Sequence, residues 1–156
     1  MHGTGLFSSF ITLATAGAIV TNPNRTFDPA ELFDIVEREK VNAIVIVGQA
    51  FAGPMLETLN ANPGRWDLSS VGQIGSSGVM WSQENKNGLL EHIPQMAITD
   101  SFGSSEAVGM GASVAVKGAA PTTAKFQLGP KCAVFTEEGK RVQPGSGERG
   151  LVAVGG

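Results

Sequence analysis

Apolar residues Leu6, Phe7, Phe10, Ile11, Leu13 and Ala14 recur at helical spacing along residues 6–16. The spacing predicts a buried helix closed by Gly17, then a short buried strand over residues 18–21. Asp28 before Pro29 is a helix start, since an Asp side chain caps free amides and proline suits the first helical position. Leu32, Phe33, Ile35 and Val36 form the inward side of that helix. Residues 41–47 are almost continuously apolar, as expected of a strand covered on both faces. A further helix runs from residue 49 through Met55, Leu56 and Leu59, and residues 60–64 end it. A short strand over residues 71–74 meets the turn Gly75-Ser76-Ser77-Gly78. Residues 82–92 form the next helix, with Leu89, Leu90 and Ile93 facing inward, and residues 95–99 the next strand. This alternation predicts an α/β fold, a doubly wound parallel sheet with flanking helices and right-handed crossovers.

Beyond Val108 the helical spacing stops. Short runs over residues 110–116, 124–128, 131–136 and 150–154 predict strands, and Glu137-Glu138-Gly139-Lys140 a hairpin turn. Residues 1–116 are therefore expected to form an α/β subdomain, and residues 117–156 the start of a β-rich one with short antiparallel strands, the boundary lying within residues 117–124.

Composition narrows the class. Charged residues make up 16% of the chain, against a usual quarter or so, which fits a well-buried domain and not a disordered one. The net charge of −3 and the absence of a basic cluster argue against a nucleic-acid partner. One cysteine, Cys132, rules out an internal disulfide and suits a reducing compartment; a late-strand core position is expected for it. The apolar run over residues 6–20 has no Lys or Arg before it, as a secretory leader would, and its hydroxyls and length do not suit a transmembrane segment. The expected location is cytoplasmic.

Candidate chemistry gathers in Asp100-Ser101-Phe102-Gly103-Ser104-Ser105-Glu106, expected to leave the carboxyl end of a parallel strand, where open α/β sheets bind ligands. Phe102 offers a face to a flat ring, and Gly103 allows close approach of backbone. Ser104 and Ser105 can donate to phosphate oxygens, and Glu106 can ligate a hard cation such as Mg²⁺. By residue type alone the same stretch also reads as a strand-to-loop turn with a capping serine and a solvated glutamate. Gly75-Ser76-Ser77-Gly78 reads as a backbone cradle or as an ordinary turn. Trp81 either walls a pocket or packs on the following helix. His92, at a helix end, suits the negative end of the helix dipole. There is no Cys/His set for zinc and no Gly-x-Ser-x-Gly nucleophile motif.

The 100–106 stretch resembles the aromatic-Gly-x-Thr/Ser-Glu motif of the adenylate-forming enzymes: acyl-CoA synthetases, firefly luciferase and peptide-synthetase adenylation domains. Other segments agree with it in order. Met1-His2-Gly3-Thr4-Gly5 resembles the histidine motif that opens the acyl-binding half. Gly75 to Gly78 resembles the turn under the adenine and acyl groups, and Gly145-Ser146-Gly147-Glu148-Arg149-Gly150-Leu151 with Gly155 the later Gly-Glu-x-Gly strand.

The resemblance implies that Asp100 accepts from the adenine amino group and that Phe102 stacks on the ring, where the family more often has tyrosine. Ser105 then replaces the usual threonine at the α-phosphate, Glu106 is the Mg²⁺ ligand, and His2 orients the substrate carboxylate. Gly75, Ser76, Ser77 and Gly78, with Ser101, Gly103 and Ser104, complete the nucleotide site. The implied reactants are ATP, coenzyme A and a small-molecule carboxylic acid, and no membrane span is implied. The family's phosphate loop, ribose-binding Asp and catalytic Lys are not among these residues, so the expectation is an excised piece of an acyl-CoA synthetase, inactive alone. Asp-Ser-Phe-Gly-Ser-Ser-Glu with the Gly109-Met110-Gly111 sequel resembles bacterial fatty-acid or steroid-acid CoA ligases. The competing expectations are a non-catalytic nucleotide-binding or scaffold domain, and an adenylate-forming enzyme that loads a carrier protein.

Overall fold

The computed structural model describes residues 3–119 and 125–155. The first helix, α1 (Gly3–Ala14), precedes α2 (Pro29–Glu39), β1 (Ala43–Ile46), α3 (Gln49–Ala61), β2 (Gln73–Ser77), α4 (Gln83–His92) and β3 (Ala97–Phe102). The strands β4 (Gly111–Ala115), β5 (Gln127–Leu128), β6 (Cys132–Phe135) and β7 (Leu151–Val154) follow. A five-stranded sheet runs in the order β1-β2-β3-β4-β5, and β6 pairs with β7 in a separate two-stranded sheet. The β1-β2 and β2-β3 pairings are parallel, while β3-β4, β4-β5 and β6-β7 are antiparallel. The expected α/β architecture, a parallel sheet flanked by helices and followed by short antiparallel strands, is the one observed.

Register shows where the core is. Ile44, Ile74, Ile98 and Ala115 stand side by side across four strands, and all four are buried. They pack with Phe33 and Val36 of α2, Met55 and Leu59 of α3, Leu89 and Leu90 of α4, and Trp66. Fully burying one such side chain stabilises by roughly 1.5–3 kcal/mol. Two residues further along β1, β2 and β3, and two residues earlier on antiparallel β4, the inward row becomes Ile46, Ser76, Asp100 and Ser113. The same covered face thus changes from apolar to polar toward the carboxyl ends of β2 and β3, while β1 keeps the apolar Ile46. A polar group taken out of water there must find a partner.

Asp28 caps α2 as expected, its carboxylate accepting from Ala30 N at 2.9 Å, with Pro29 at the first helical position. The 137–140 turn forms, with Gly139 N donating to Thr136 O at 3.0 Å and Thr136 N to Lys140 O at 2.8 Å. Several elements differ from expectation. Helix α1 has no buried residue, and Phe10, Ile11 and Leu13 are all exposed. Periodicity marks an apolar face without saying what covers it. The left-handed residue ending this helix is Ala16, with φ 59°, and Gly17 N only donates back to Thr12 O at 2.8 Å. Residues 18–21 form no strand, because no ladder among the described residues pairs with their backbone. Strand β1 alternates between exposed and buried positions; Val45 is 44% exposed, so only one face is covered.

The strands carrying the candidate motifs are also longer toward the carboxyl end than the hydrophobic pattern indicates. Gly75, Ser76 and Ser77 lie within β2, and Asp100, Ser101 and Phe102 within β3. Ladder pairing continues past the last apolar residue because β2 has a partner on both sides and β3 is held by β2 and β4. Of the expected boundary at 117–124, residues 120–124 lie outside the described residues; Gln127 and Leu128 pair with β4. Cys132 is half-buried on β6.

Candidate active site

Parallel register places the two glycine-containing segments side by side, with Ser76 opposite Asp100 and Ser77 opposite Ser101. They border a cavity of about 220 Å³ that also meets Gly78, Val79, Met80, Trp81, Lys86, Phe102, Gly103 and Phe126. That is less than the roughly 300–1,000 Å³ of pockets for drug-sized ligands, and suits one ring system of a larger ligand.

Each motif side chain has a definite place. Ser76 points inward, and its hydroxyl accepts from Gly48 N at 3.1 Å. Ser101 Oγ donates to Ser76 O at 3.5 Å, tying the two strand ends together. Phe102 stands beside its cross-strand partner Gly111, edge-on to Phe126 with ring centroids 5.1 Å apart. Gly103 is confined by backbone: a Cβ there would lie 2.7 Å from Ala107 O and 2.9 Å from Gly109 N. The chain reverses tightly over it, with Ser104 N donating to Ala107 O at 3.1 Å and Ala107 N to Ser104 O at 3.2 Å. Ser104, Ser105 and Glu106 ride on this turn in solvent, outside the cavity wall. Gly75 faces the other side of the sheet, in the row of Val45, Thr99 and Val114, and does not line the cavity. His2 lies outside the described residues, although Thr4 in the first turn of α1 donates through Oγ1 to Ser77 O at 3.5 Å.

Asp100 is the most constrained of these side chains. One carboxylate oxygen accepts from Trp81 Nε1 at 2.5 Å, and the other is paired with the Lys86 ammonium. The ammonium also stands 5.4 Å from the centre of the Trp81 ring. Trp81 is buried, so it serves both as a wall and as a hydrogen-bond donor. Sequence reasoning missed Lys86, yet a signal was there: Lys86, Leu89, Leu90 and Ile93 share one helical stripe. A lysine on an apolar stripe needs a buried anion, and Asp100 supplies it. His92 contacts Asn60 Oδ1 through Nε2 at 2.7 Å, away from the cavity.

A hydrogen bond from Ser104, followed by one from the Glu106 backbone amide, holds the Glu106 carboxyl below the ordinary glutamate range. A depressed pKa means that this small contribution is present above the unfolded value and is lost as pH falls through the folded one. Ser104→Ala is expected to return the Glu106 titration toward the ordinary range in carboxyl-detected NMR. An unchanged midpoint would show that Ser104 is not the cause.

Among the described residues, no group of three or more His, Cys, Asp or Glu could hold a metal. One exposed carboxylate at Glu106 instead fits the mode of Mg²⁺, which keeps several waters and binds through one or two carboxylates plus substrate phosphates. No helix of the described residues is long and apolar enough to cross a membrane.

No family model matches the chain. A medium/long-chain fatty-acid–CoA and 3-oxocholest-4-en-26-oate–CoA ligase from Mycolicibacterium smegmatis is 33% identical over 157 residues, covering 98% of this chain and 28% of that ligase. A 3-oxocholest-4-en-26-oate–CoA ligase from Rhodococcus rhodochrous is 34% identical over 161 residues, with the same 98% and 28% coverage. Among solved structures, an amide bond synthetase from Marinactinospora thermotolerans superposes with a TM-score of 0.70 at 19% identity, over 92% of this chain and 29% of that one. The chain thus spans little more than a quarter of the length of the curated relatives it matches. Along nearly its whole length, and in the motifs it carries, the chain is similar to part of the fatty-acid and steroid-acid CoA ligases of the adenylate-forming, AMP-binding family.

Proposed function

We propose that this chain is the adenine- and acyl-binding part of an acyl-CoA synthetase that activates a fatty or steroid-type carboxylic acid with ATP and passes the acyl group to coenzyme A. The observation that carries the reading is the register of β2 on β3. It brings Ser76-Ser77-Gly78 and Asp100 to Gly103 to one cavity, in a chain one-third identical to such ligases. In this reading residues 1–116 are the α/β subdomain and residues 117–156 open the β-rich one.

The chemistry follows from the side chains. A carboxylate oxygen attacks the α-phosphorus, pyrophosphate leaves, and the thiol of coenzyme A then displaces AMP from the acyl carbonyl. Negative charge concentrates on the phosphoryl oxygens in the first step, so positioned donors lower its barrier. Asp100 accepts from the adenine amino group, and Phe102 lies against the ring. Gly78, Ser101 and Gly103 bring backbone close to the nucleotide, Ser105 donates to the phosphate, and Ser104 commits its one hydroxyl proton to orienting Glu106. His2 orients the carboxylate. Mg²⁺ on Glu106 supplies positive charge beside the phosphates when bound. The Ser104 hydrogen bond favours the ionised form of the exposed Glu106 carboxyl, the form that accepts that ion.

Titration of the chain with ATP tests this reading, with and without Mg²⁺, against Glu106→Gln. The substitution is expected to remove the Mg²⁺-dependent part of the affinity, by about tenfold or more, and to leave binding of AMP without metal unchanged. A variant that kept the full Mg²⁺ dependence would exclude Glu106 as the ligand and favour a non-catalytic scaffold. Pyrophosphate exchange is expected only from a parent enzyme that supplies the remaining groups, and exchange by the 156-residue chain alone would contradict the assignment of roles.

A further inference from the structure

Among the described residues, Lys86 is the one charged residue that is buried, at 1% exposure, and it shares the interior with the polar Ser76 and Ser113. Its ammonium meets one oxygen of Asp100, while Trp81 Nε1 occupies the other at 2.5 Å. Desolvating both members of such a pair is costly, and an apolar pair of the same volume often stabilises a fold as well or better. Packing therefore does not account for a lysine on the Leu89-Leu90-Ile93 stripe. Its distinctive effect is on the carboxylate. With a donor committed to each oxygen, Asp100 is fixed in rotation and offers the cavity only its remaining lone pairs.

We infer that Lys86 is a positioning residue that sets base specificity: it holds Asp100 as an oriented, acceptor-only carboxylate, which selects a purine edge that donates over one that accepts. A 6-amino purine presents an N–H there. A 6-oxo purine presents a second acceptor, which would leave two lone pairs facing each other in a partly desolvated site. The inference rests on the nucleotide reading above and adds to it the residue that makes Asp100 selective. Lys86 touches no base in this arrangement; it acts through Asp100, and Trp81 acts with it. Arginine at the same place would keep the charge, whereas methionine would keep only the length.

The test uses the 156-residue chain, labelled with ¹⁵N and titrated with AMP and with IMP. Binding is followed at the Trp81 indole N–H, which is told apart from that of Trp66 by Trp66→Phe. The unaltered chain is expected to shift this signal with AMP and to bind AMP at least about tenfold more tightly than IMP. Lys86→Arg should retain the preference. Lys86→Met alone leaves a buried carboxylate without its counter-charge and can unfold the chain, so it is combined with Asp100→Asn, which leaves no unpaired charge. The asparagine amide can turn either its oxygen or its NH₂ toward the cavity, so the double variant should bind the two nucleotides within about twofold of each other. Retention of the AMP preference by the double variant would overturn the role of Lys86. Equal binding of AMP and IMP by the unaltered chain would overturn the selection but leave nucleotide binding standing. No response to either nucleotide would overturn both.

Discussion

Lys86→Met is expected to destabilise the chain by about 3–5 kcal/mol, the cost typical of removing one member of a buried ion pair. The Lys86 side chain is 2% exposed and that of Asp100 13%, so neither charge is substantially screened by water. Methionine is close to lysine in length and volume, so little of the loss comes from a cavity. What is lost is the counter-charge of a carboxylate whose other partner, Trp81, is a single neutral donor. Against a total stability of about 5–15 kcal/mol, that change brings the chain close to unfolding. Chemical denaturation would show it as a lower midpoint with an unchanged slope. Adding Asp100→Asn should recover most of the loss, and the non-additivity of the cycle should exceed about 1 kcal/mol. Losses below about 1 kcal/mol with additive behaviour would mean that the pair behaves like an exposed one.

The pair also shows what a sequence can and cannot tell. Elements with a full hydrophobic period appeared close to where they were expected: α2 with its Asp28 cap, α4 after Ser82, and the β6 strand ahead of the Gly139 turn. Positions whose state depends on distant chain were harder to read. The apolar face of α1 is as regular as that of α2, yet Phe10 and Ile11 are exposed while Phe33 and Val36 are buried. Regularity records that a face is apolar, and burial depends on what else arrives there. The ends of β2 and β3 were missed for a related reason. Ser76, Ser77, Asp100 and Ser101 lack the strand signature but lie in ladders whose neighbours hold them extended. In the candidate site, the Asp100 to Glu106 motif could be read because unusual residue types cluster within one short stretch. The partners of Asp100 could not, since Trp81 and Lys86 lie 19 and 14 residues away in sequence and meet it only through the α4 crossover.

Glycine illustrates the same divide and leads to the second large effect. Gly75 stood out in the sequence as part of a cradle, while Gly48 did not. Gly48 lies between β1 and α3 with φ 58° and ψ −145°, a region that side chains other than glycine essentially avoid. An added Cβ would also overlap the carbonyl oxygen of Val79, which is backbone and cannot rotate away. Relief by moving Gly48 would break its N–H bond to the buried Ser76 hydroxyl, 3.1 Å long. Backbone strain of about 1–3 kcal/mol and a lost buried hydrogen bond of about 1 kcal/mol, with the overlap in addition, put Gly48→Ala at roughly 3–5 kcal/mol destabilising. Gly75 is strand backbone, and a Cβ added there would meet nothing within 4 Å, so Gly75→Ala should change stability by less than about 1 kcal/mol. The larger effect should also reach the cavity. Val79 leads directly to Trp81, so displacing it moves the donor that holds Asp100. Denaturation of both variants, with the Trp81 indole N–H signal recorded alongside, would check the contrast. Equal, small effects at both positions would show that the Val79 segment yields freely, and that the wall of the cavity is not held from the β1–α3 turn.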